Sequence, residues 1–313
     1  MQTSHKLTRI FVALFTLVVL SMAALAQTDI KVSDQKAGSA LVYPYYTSDS
    51  QTKGDTRITL SNLHTTQTVA VHLFFLDKSC NQADTYVCLT PNASIAMKAS
   101  EFDPDVKGGW LFAVAVTARG IPYNPNSLIG NAFVNNGTEL GNYGAEAFRD
   151  FVTTVAMDLQ SATIAYDAPN QFAVEIQSPN DAVGQKIVTV GLQGSIVDMT
   201  LKGAGQLGIG QLYNGNEKPF GSFSKFIADG CRADATITTT APRVPLGLGV
   251  LIPSGQVGTL KWNSVAGSVG ILITPTNNKW SGIRTLHKTR EVATTTILPI
   301  FNPGCGARGD FGV

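Results

Sequence analysis

The residues able to do chemistry in this 313-residue chain are few and thinly spread. The densest carboxylate group is Glu101-Phe-Asp-Pro-Asp105, in which Glu101, Asp103 and Asp105 place hard oxygen ligands at alternating positions. Ca²⁺ gathers roughly six to eight such oxygens, so calcium is the one cofactor this cluster admits, although the EF-hand pattern is absent. Pro104 suits a plain solvated turn equally well. Tyr43-Pro-Tyr-Tyr46 is the aromatic group that could recognise a ligand, because exposed tyrosines stack on sugar rings or anchor a protein partner. Strand alternation assigns Tyr43 and Tyr45 to one face and Tyr46 to the other, which sends part of the set into the core. His64 sits beside two threonines in a turn, His72 within a strongly apolar strand, and His287 without a spaced carboxylate or second ligand. Neither a G-x-S-x-G elbow nor an H-E-x-x-H pair occurs, and we assign no catalytic residue.

Four cysteines, Cys80, Cys88, Cys231 and Cys305, are the remaining reactive groups. An even number in an exported chain reads as two disulfides with three possible connectivities. The preferred pairs are Cys80–Cys88, which flank a short segment, and Cys231–Cys305. In the chain-entropy model the short loop would contribute roughly 2–3 kcal/mol and the long one roughly 4–5. The Cys-x7-Cys spacing lacks the knuckle and histidine pair of a zinc site. Arg308-Gly-Asp310 spells an integrin-type tripeptide in a glycine-rich tail, and Asn92 and Asn136 head glycosylation sequons that matter only in a eukaryotic host.

The elements that must position these residues are strands. Val69, Val71, Leu73 and Phe75 alternate with Ala70, Phe74 and Leu76, so both faces of 69–76 are apolar and buried. Residues 110–117 carry an inward row of Trp110, Phe112, Val114 and Val116. Further strands are expected at 40–46, 56–62, 84–90, 94–98, 171–177, 186–192, 195–200, 219–228, 233–240, 248–252, 258–262, 269–274 and 292–300, separated by turn residues. One stretch breaks the pattern: Phe148, Phe151, Val152 and Val155 fall at i, i+3, i+4 and i+7, which predicts a short amphipathic helix over 144–156. The Asn/Gly/Pro-dense segment from Gly120 to Tyr143 reads as a long connection. Residues 89–117 and 251–274 share a plan of strand, Pro-led turn, strand ending in Lys, then buried strand.

The N-terminus has the three parts of a secretory signal: Lys6 and Arg9, the apolar run Ile10–Leu20, and Ala24-Leu25-Ala26 before Gln27. The apolar run is shorter than the roughly 20 residues of a membrane span. Cleavage near Ala26 leaves 287 of the 313 residues, with 21 basic against 22 acidic side chains and a net charge of −1. A near-neutral chain with only 14% charged residues carries no electrostatic footprint for nucleic acid. No later segment is long and apolar enough for membrane insertion, so a secreted, periplasmic or cell-surface product is expected.

Ala37-Gly-Ser-Ala-Leu-Val-Tyr-Pro-Tyr-Tyr-Thr47, followed by Asp55-Thr-Arg-Ile-Thr-Leu-Ser-Asn62, resembles the opening of an uncharacterised group of secreted bacterial β-sandwich proteins. Cys88-Leu-Thr-Pro91, Ser127-Leu-Ile-Gly130, Asn142-Tyr-Gly-Ala-Glu-Ala-Phe148 and Leu286-His-Lys288 extend the similarity. The resemblance implies an address and a fold but no reaction and no functional residues. The expected architecture is all-β, with two immunoglobulin-like or jelly-roll-like sandwiches at 27–120 and 166–303. A helix-bearing connection at 121–165 joins them, and a flexible tail follows at 304–313. The expected role is structural, adhesive or interactive, with an unknown protein or polysaccharide as partner. The alternatives are a carbohydrate-binding, calcium-dependent module and a secreted hydrolase with a dispersed site.

Overall fold

The computed structural model describes residues 32–48, 54–77, 80–102, 108–198, 206–216, 218–227, 232–242 and 246–305. The leader Met1–Ala26 lies outside the described residues. In chain order the strands of the first half are β1 (Val32–Ser33), β2 (Ala40–Tyr46), β3 (Asp55–Asn62), β4 (Val69–Asp77), β5 (Gln82–Leu89), β6 (Ser94–Lys98), β7 (Gly109–Val116), β8 (Leu128–Asn135), β9 (Leu140–Gly144), β10 (Glu146–Phe148) and β11 (Val152–Val155). The second half adds β12 (Ser161–Gln177), β13 (Gln185–Gly191), β14 (Gly194–Ser195), β15 (Gln206–Tyr213), β16 (Pro219–Ile227), β17 (Arg232–Ile237), β18 (Val257–Ser264), β19 (Ser268–Thr274), β20 (Gly282–Thr285) and β21 (His287–Pro299). The helices are single turns, α1 (Ala99–Phe102) and α2 (Leu248–Leu251).

The strands form four sheets: β1-β10-β2-β7-β4-β5, β6-β3-β8-β9, β14-β21-β12-β18-β15-β16 with β11 added to β12, and β17-β13-β19-β20. Pairing is antiparallel except between β14 and β21. The chain is therefore an all-β protein of layered sheets. Strands β4 and β7 are buried on both faces because their sheet is a middle layer. Leu73, Phe75, Leu111 and Ala113 meet Ile58, Leu60, Ala132 and Val134 of the β6-β3-β8-β9 sheet on one side. Phe74, Leu76, Trp110, Phe112 and Val114 meet Ile164, Tyr166 and Leu298 of β12 and β21 on the other. Complete burial of each such side chain is worth about 1.5–3 kcal/mol, which makes these two interfaces the main stabilising source. The far ends of β12 and β18 pack Phe172, Val174, Ile176 and Trp262 against Ile187, Ile237 and Leu272 in a third cluster. The seventeen residues of β12 thus serve two cores, Ile164 to Ala168 in one and Phe172 to Ile176 in the other.

Several expectations are corrected. The helix over 144–156 is replaced by β10, a turn and β11. Asp150 adopts φ +55°, which a helix forbids, and Val152-Thr-Thr-Val155 is a β-branched run that favours the pleated state. The connection at Gly120–Tyr143 contains β8, whose Leu128, Gly130, Ala132 and Val134 face inward. The strand expected at 248–252 is α2, with Leu248 and Ile252 in the third core.

The preferred disulfide pairing is also overturned. Cys88 is bonded to Cys305, 217 residues away, with Cα atoms 5.8 Å apart. Cys80 precedes β5 and Cys88 lies near its far end, and the run of strand from Gln82 to Cys88 alone spans about 20 Å at roughly 3.3 Å per residue. A disulfide tolerates about 4.4–6.8 Å between Cα atoms, so the strand itself keeps Cys80 and Cys88 apart. Cys80 is disulfide-bonded as well, and Cys231 lies outside the described residues. The bridge ties Cys305, the second residue of the expected flexible tail, to the edge strand β5.

Candidate functional site

The tyrosines of β2 offer no ligand platform. Tyr43 and Tyr46 are fully buried and Tyr45 is 6% exposed. Four residues of β2, Tyr43 to Tyr46, oppose three of β7, Leu111 to Gly109, a bulge that resets the alternation. All three rings consequently enter the same core, where alternation had divided them. The Tyr43 hydroxyl donates to the Thr59 carbonyl at 2.8 Å, and the Tyr45 hydroxyl donates to Glu139. Lys186 pairs with the other Glu139 oxygen at 2.5 Å and lies 4.9 Å from the Tyr45 ring centroid. Arg232 approaches the same ring at 5.1 Å, bonds Asp234 and donates to the Gly109 carbonyl at 2.8 Å. This set fastens the first-half strands to β13 and β17.

Glu101 is exposed on α1 and its carboxylate accepts the Lys98 N–H at 3.2 Å, while Asp103 and Asp105 lie outside the described residues. Among the described residues, no cluster of three metal-ligating side chains occurs. Arg308-Gly-Asp310 is likewise outside them. His64 closes a turn by accepting the Thr66 and Gln67 amides on Nδ1. His72 is buried, stacks on Tyr86 with centroids 4.0 Å apart and bonds Asp84 at 2.9 Å through Nε2. Burial outweighs that carboxylate and brings its pKa down to about 4. The Asn136 side chain accepts the Thr138 and Glu139 amides and donates to Glu139, so the sequon asparagine is engaged inside its own turn.

A second buried ion pair was not foreseen. Glu146 on β10 is 1% exposed, with Oε2 2.6 Å from Lys288 Nζ and Oε1 lacking a hydrogen-bond partner. Desolvation pushes the carboxyl up to about 7 despite Lys288, and Asp34 adds to the rise. The alternation around Lys288 looks solvent-facing in sequence, and only the tertiary fold, which brings the first residues of β21 to β10, makes the pair internal.

Among the described residues, a concave feature with convergent polar groups is a cleft of about 370 Å³ on the outer face of β12 and β21. Its floor is a patch of ladder in which Ala165 pairs with Thr295 and Asp167 with Ala293. Ala165, Ala293 and Asp167 line it there. One wall is the β10–β11 turn, with Arg149, Asp150 and Val152; the other is Gln193. Gln193 accepts the Thr295 N–H at 3.0 Å and donates to the Thr295 hydroxyl at 2.8 Å.

Segment 124–126 clamps the turn from both sides. Asn124 donates to the Phe151 carbonyl at 2.5 Å and accepts the Phe151 N–H at 3.2 Å. Asn126 donates to Asp150 Oδ1 at 2.7 Å and is itself held by Ser39, whose hydroxyl donates to Asn126 Oδ1 at 2.9 Å. Asn126 and Asp150 both have left-handed backbones, φ +50° and +55°. Non-glycine residues hold that conformation only where their surroundings over-determine it. Phe148 and Phe151 are buried and anchor the turn from below. Arg149 is half-buried, and its Nε has no hydrogen-bond partner. None of these cleft residues stood out in sequence except Phe148, Phe151 and Val152, which were read there as a helix face.

No family model matches the chain, and no curated protein does. Among solved structures, Thermotoga maritima 1070 is similar at a TM-score of 0.28 and 10% identity, covering 36% of this chain and 96% of that one. The cowpea mosaic virus top component gives 0.19 and 9%, over 90% and 96% of the two chains. A glycosyl hydrolase family 2 member from Bacteroides cellulosilyticus gives 0.16 and 8%, over 80% and 27%. Likenesses at this level carry no argument about the chain. Outside the cleft, Trp280 is 65% exposed on the β19–β20 loop, with Lys279 Nζ 5.2 Å from its ring.

Proposed function

We propose that this is an exported, non-catalytic β-sandwich protein that works by binding, at the cell surface or in the surrounding matrix. The observation that supports the reading is the use made of its ionisable side chains. Glu139–Lys186, Glu146–Lys288 and His72–Asp84 each join different segments of the chain, and Arg232, paired with Asp234 on its own strand, reaches across to the Gly109 carbonyl. The cleft is lined by one guanidinium, two carboxylates, a phenol, an amide and two threonines, without histidine, cysteine or serine. Such a lining suits recognition. No helix among the described residues is long and apolar enough to cross a membrane, and the disulfide fits an oxidising compartment.

The test is twofold. N-terminal sequencing of the product in its native host should begin at Gln27, and ester, glycoside and peptide reporters should stay uncleaved by the purified chain. Turnover that co-purifies with the protein and disappears in Asp150→Asn would overturn the non-catalytic reading. Calcium or EDTA should leave the melting temperature unmoved; a rise with calcium would favour the Glu101–Asp105 loop as a metal site.

A further inference from the structure

We infer that the Arg149–Asp150–Asp167 cleft is a sugar subsite, taking one or two residues of a neutral, hydroxyl-rich glycan. The inference rests on the binding role proposed above and names its ligand class. A sugar hydroxyl both donates and accepts, and adjacent hydroxyls span the distance between the two heavy atoms of a planar charged group. The cleft sets a guanidinium beside carboxylates around a floor of alanines, so donors and acceptors surround a surface on which a ring can lie flat. Its volume of about 370 Å³ is at the small end for ligand sites and fits a short saccharide segment.

The wall is rigid before any ligand arrives. Asn124 and Asn126 fix the turn on both flanks, so little ordering entropy opposes binding. Arg149 Nε is a buried donor without a hydrogen-bond partner, an arrangement uncommon enough to mark the guanidinium as a group with a use. Charge selects the class further. One arginine against two aspartates leaves the lining at −1, which disfavours uronates and sulfated sugars. Neutral hexoses carry no such penalty.

The experiment is calorimetric titration of the full mature chain with cellohexaose, laminarihexaose, mannohexaose and xylohexaose, with oligogalacturonate as the anionic probe. At least one neutral hexaose should bind, and oligogalacturonate should bind at least tenfold more weakly. Arg149→Gln, Asp167→Asn and Asp150→Asn should each weaken the neutral ligand roughly tenfold, the loss of about one charge-assisted hydrogen bond. Asn tolerates the left-handed backbone at position 150, so that variant keeps the turn, and an unchanged melting temperature shows that it does. Trp280→Ala should leave the affinity unchanged. The inference is overturned if no neutral hexaose binds, if oligogalacturonate binds best, or if only Trp280→Ala abolishes binding. A blank titration with uncleaved reporters removes the ligand class and leaves the non-catalytic reading standing. Cleavage of a bound hexaose, traced by product analysis, does the reverse.

Discussion

Glu146 and His72 pull the pH dependence of stability in opposite directions. The Glu146 carboxyl is raised from 4.5 to about 7, so the folded state holds its proton more tightly than the unfolded chain. Its contribution is complete below about pH 4.5 and is lost as pH rises through 7. His72 is lowered from 6.5 to about 4, so its contribution is present above pH 6.5 and is lost as pH falls toward 4. Between pH 5 and 6.5 the two slopes oppose, and the melting temperature of the parent chain should be nearly flat. Glu146→Gln should uncover a melting temperature that drops as pH is lowered across this window, and His72→Asn the opposite slope. Parallel melting curves at pH 5, 6 and 6.5 decide it, and identical slopes in all three proteins would refute the assignment. In sequence His72 already looked like a core histidine, since its strand is apolar on both sides. Glu146 was invisible, because an isolated glutamate reads as surface until its partner strand is known.

At the level of elements, β8 shows how a strand can hide among loop residues. Ser127-Leu-Ile-Gly-Asn-Ala-Phe-Val-Asn135 contains Gly and Asn that signal turns, yet its even positions form an inward row. Gly130 is required there: a Cβ would stand 1.8 Å from the Tyr43 hydroxyl and 2.7 Å from the Thr59 carbonyl. Gly130→Ala should therefore destabilise the protein by roughly 1–3 kcal/mol, the range for overpacking a filled core, measured by denaturant unfolding. A neutral effect would mean that the Tyr43 ring can retreat. The β10–β11 turn teaches the converse lesson. Four apolar residues at helical spacing satisfied the period, but β-branched propensity and a left-handed Asp150 prevailed once β12 supplied a partner for Val152–Val155. Short segments satisfy two periods at once, and only strand pairing separates them.

For the whole molecule, the relevant fact is that stabilising contacts run between distant parts of the chain. β12 and β21 serve the core of the first-half sheet, β12 also serves the third cluster, and the described residues from Val32 to Cys305 fall in one compact unit. Calorimetry of the mature chain should show one cooperative transition, and two resolved transitions would contradict this shared core. The Cys88–Cys305 bridge closes a loop of 217 residues, worth at most roughly 5 kcal/mol in the chain-entropy model. Replacing both cysteines by serine should lower stability by about 2–5 kcal/mol, and non-reducing peptide mapping of the parent should recover Cys88 linked to Cys305. Recovery of a Cys80–Cys88 peptide would restore the original pairing.

Alternating apolar residues, turn chemistry and low charge were enough to establish an all-β chain, because those signals are local and recur with the period of the pleat. Strand partners, the bulge that buries three tyrosines together, the long-range disulfide and the cleft between a clamped turn and two long strands were decided only in three dimensions. Each depends on which segments lie side by side, and adjacency across more than a hundred residues leaves no trace in spacing along the chain.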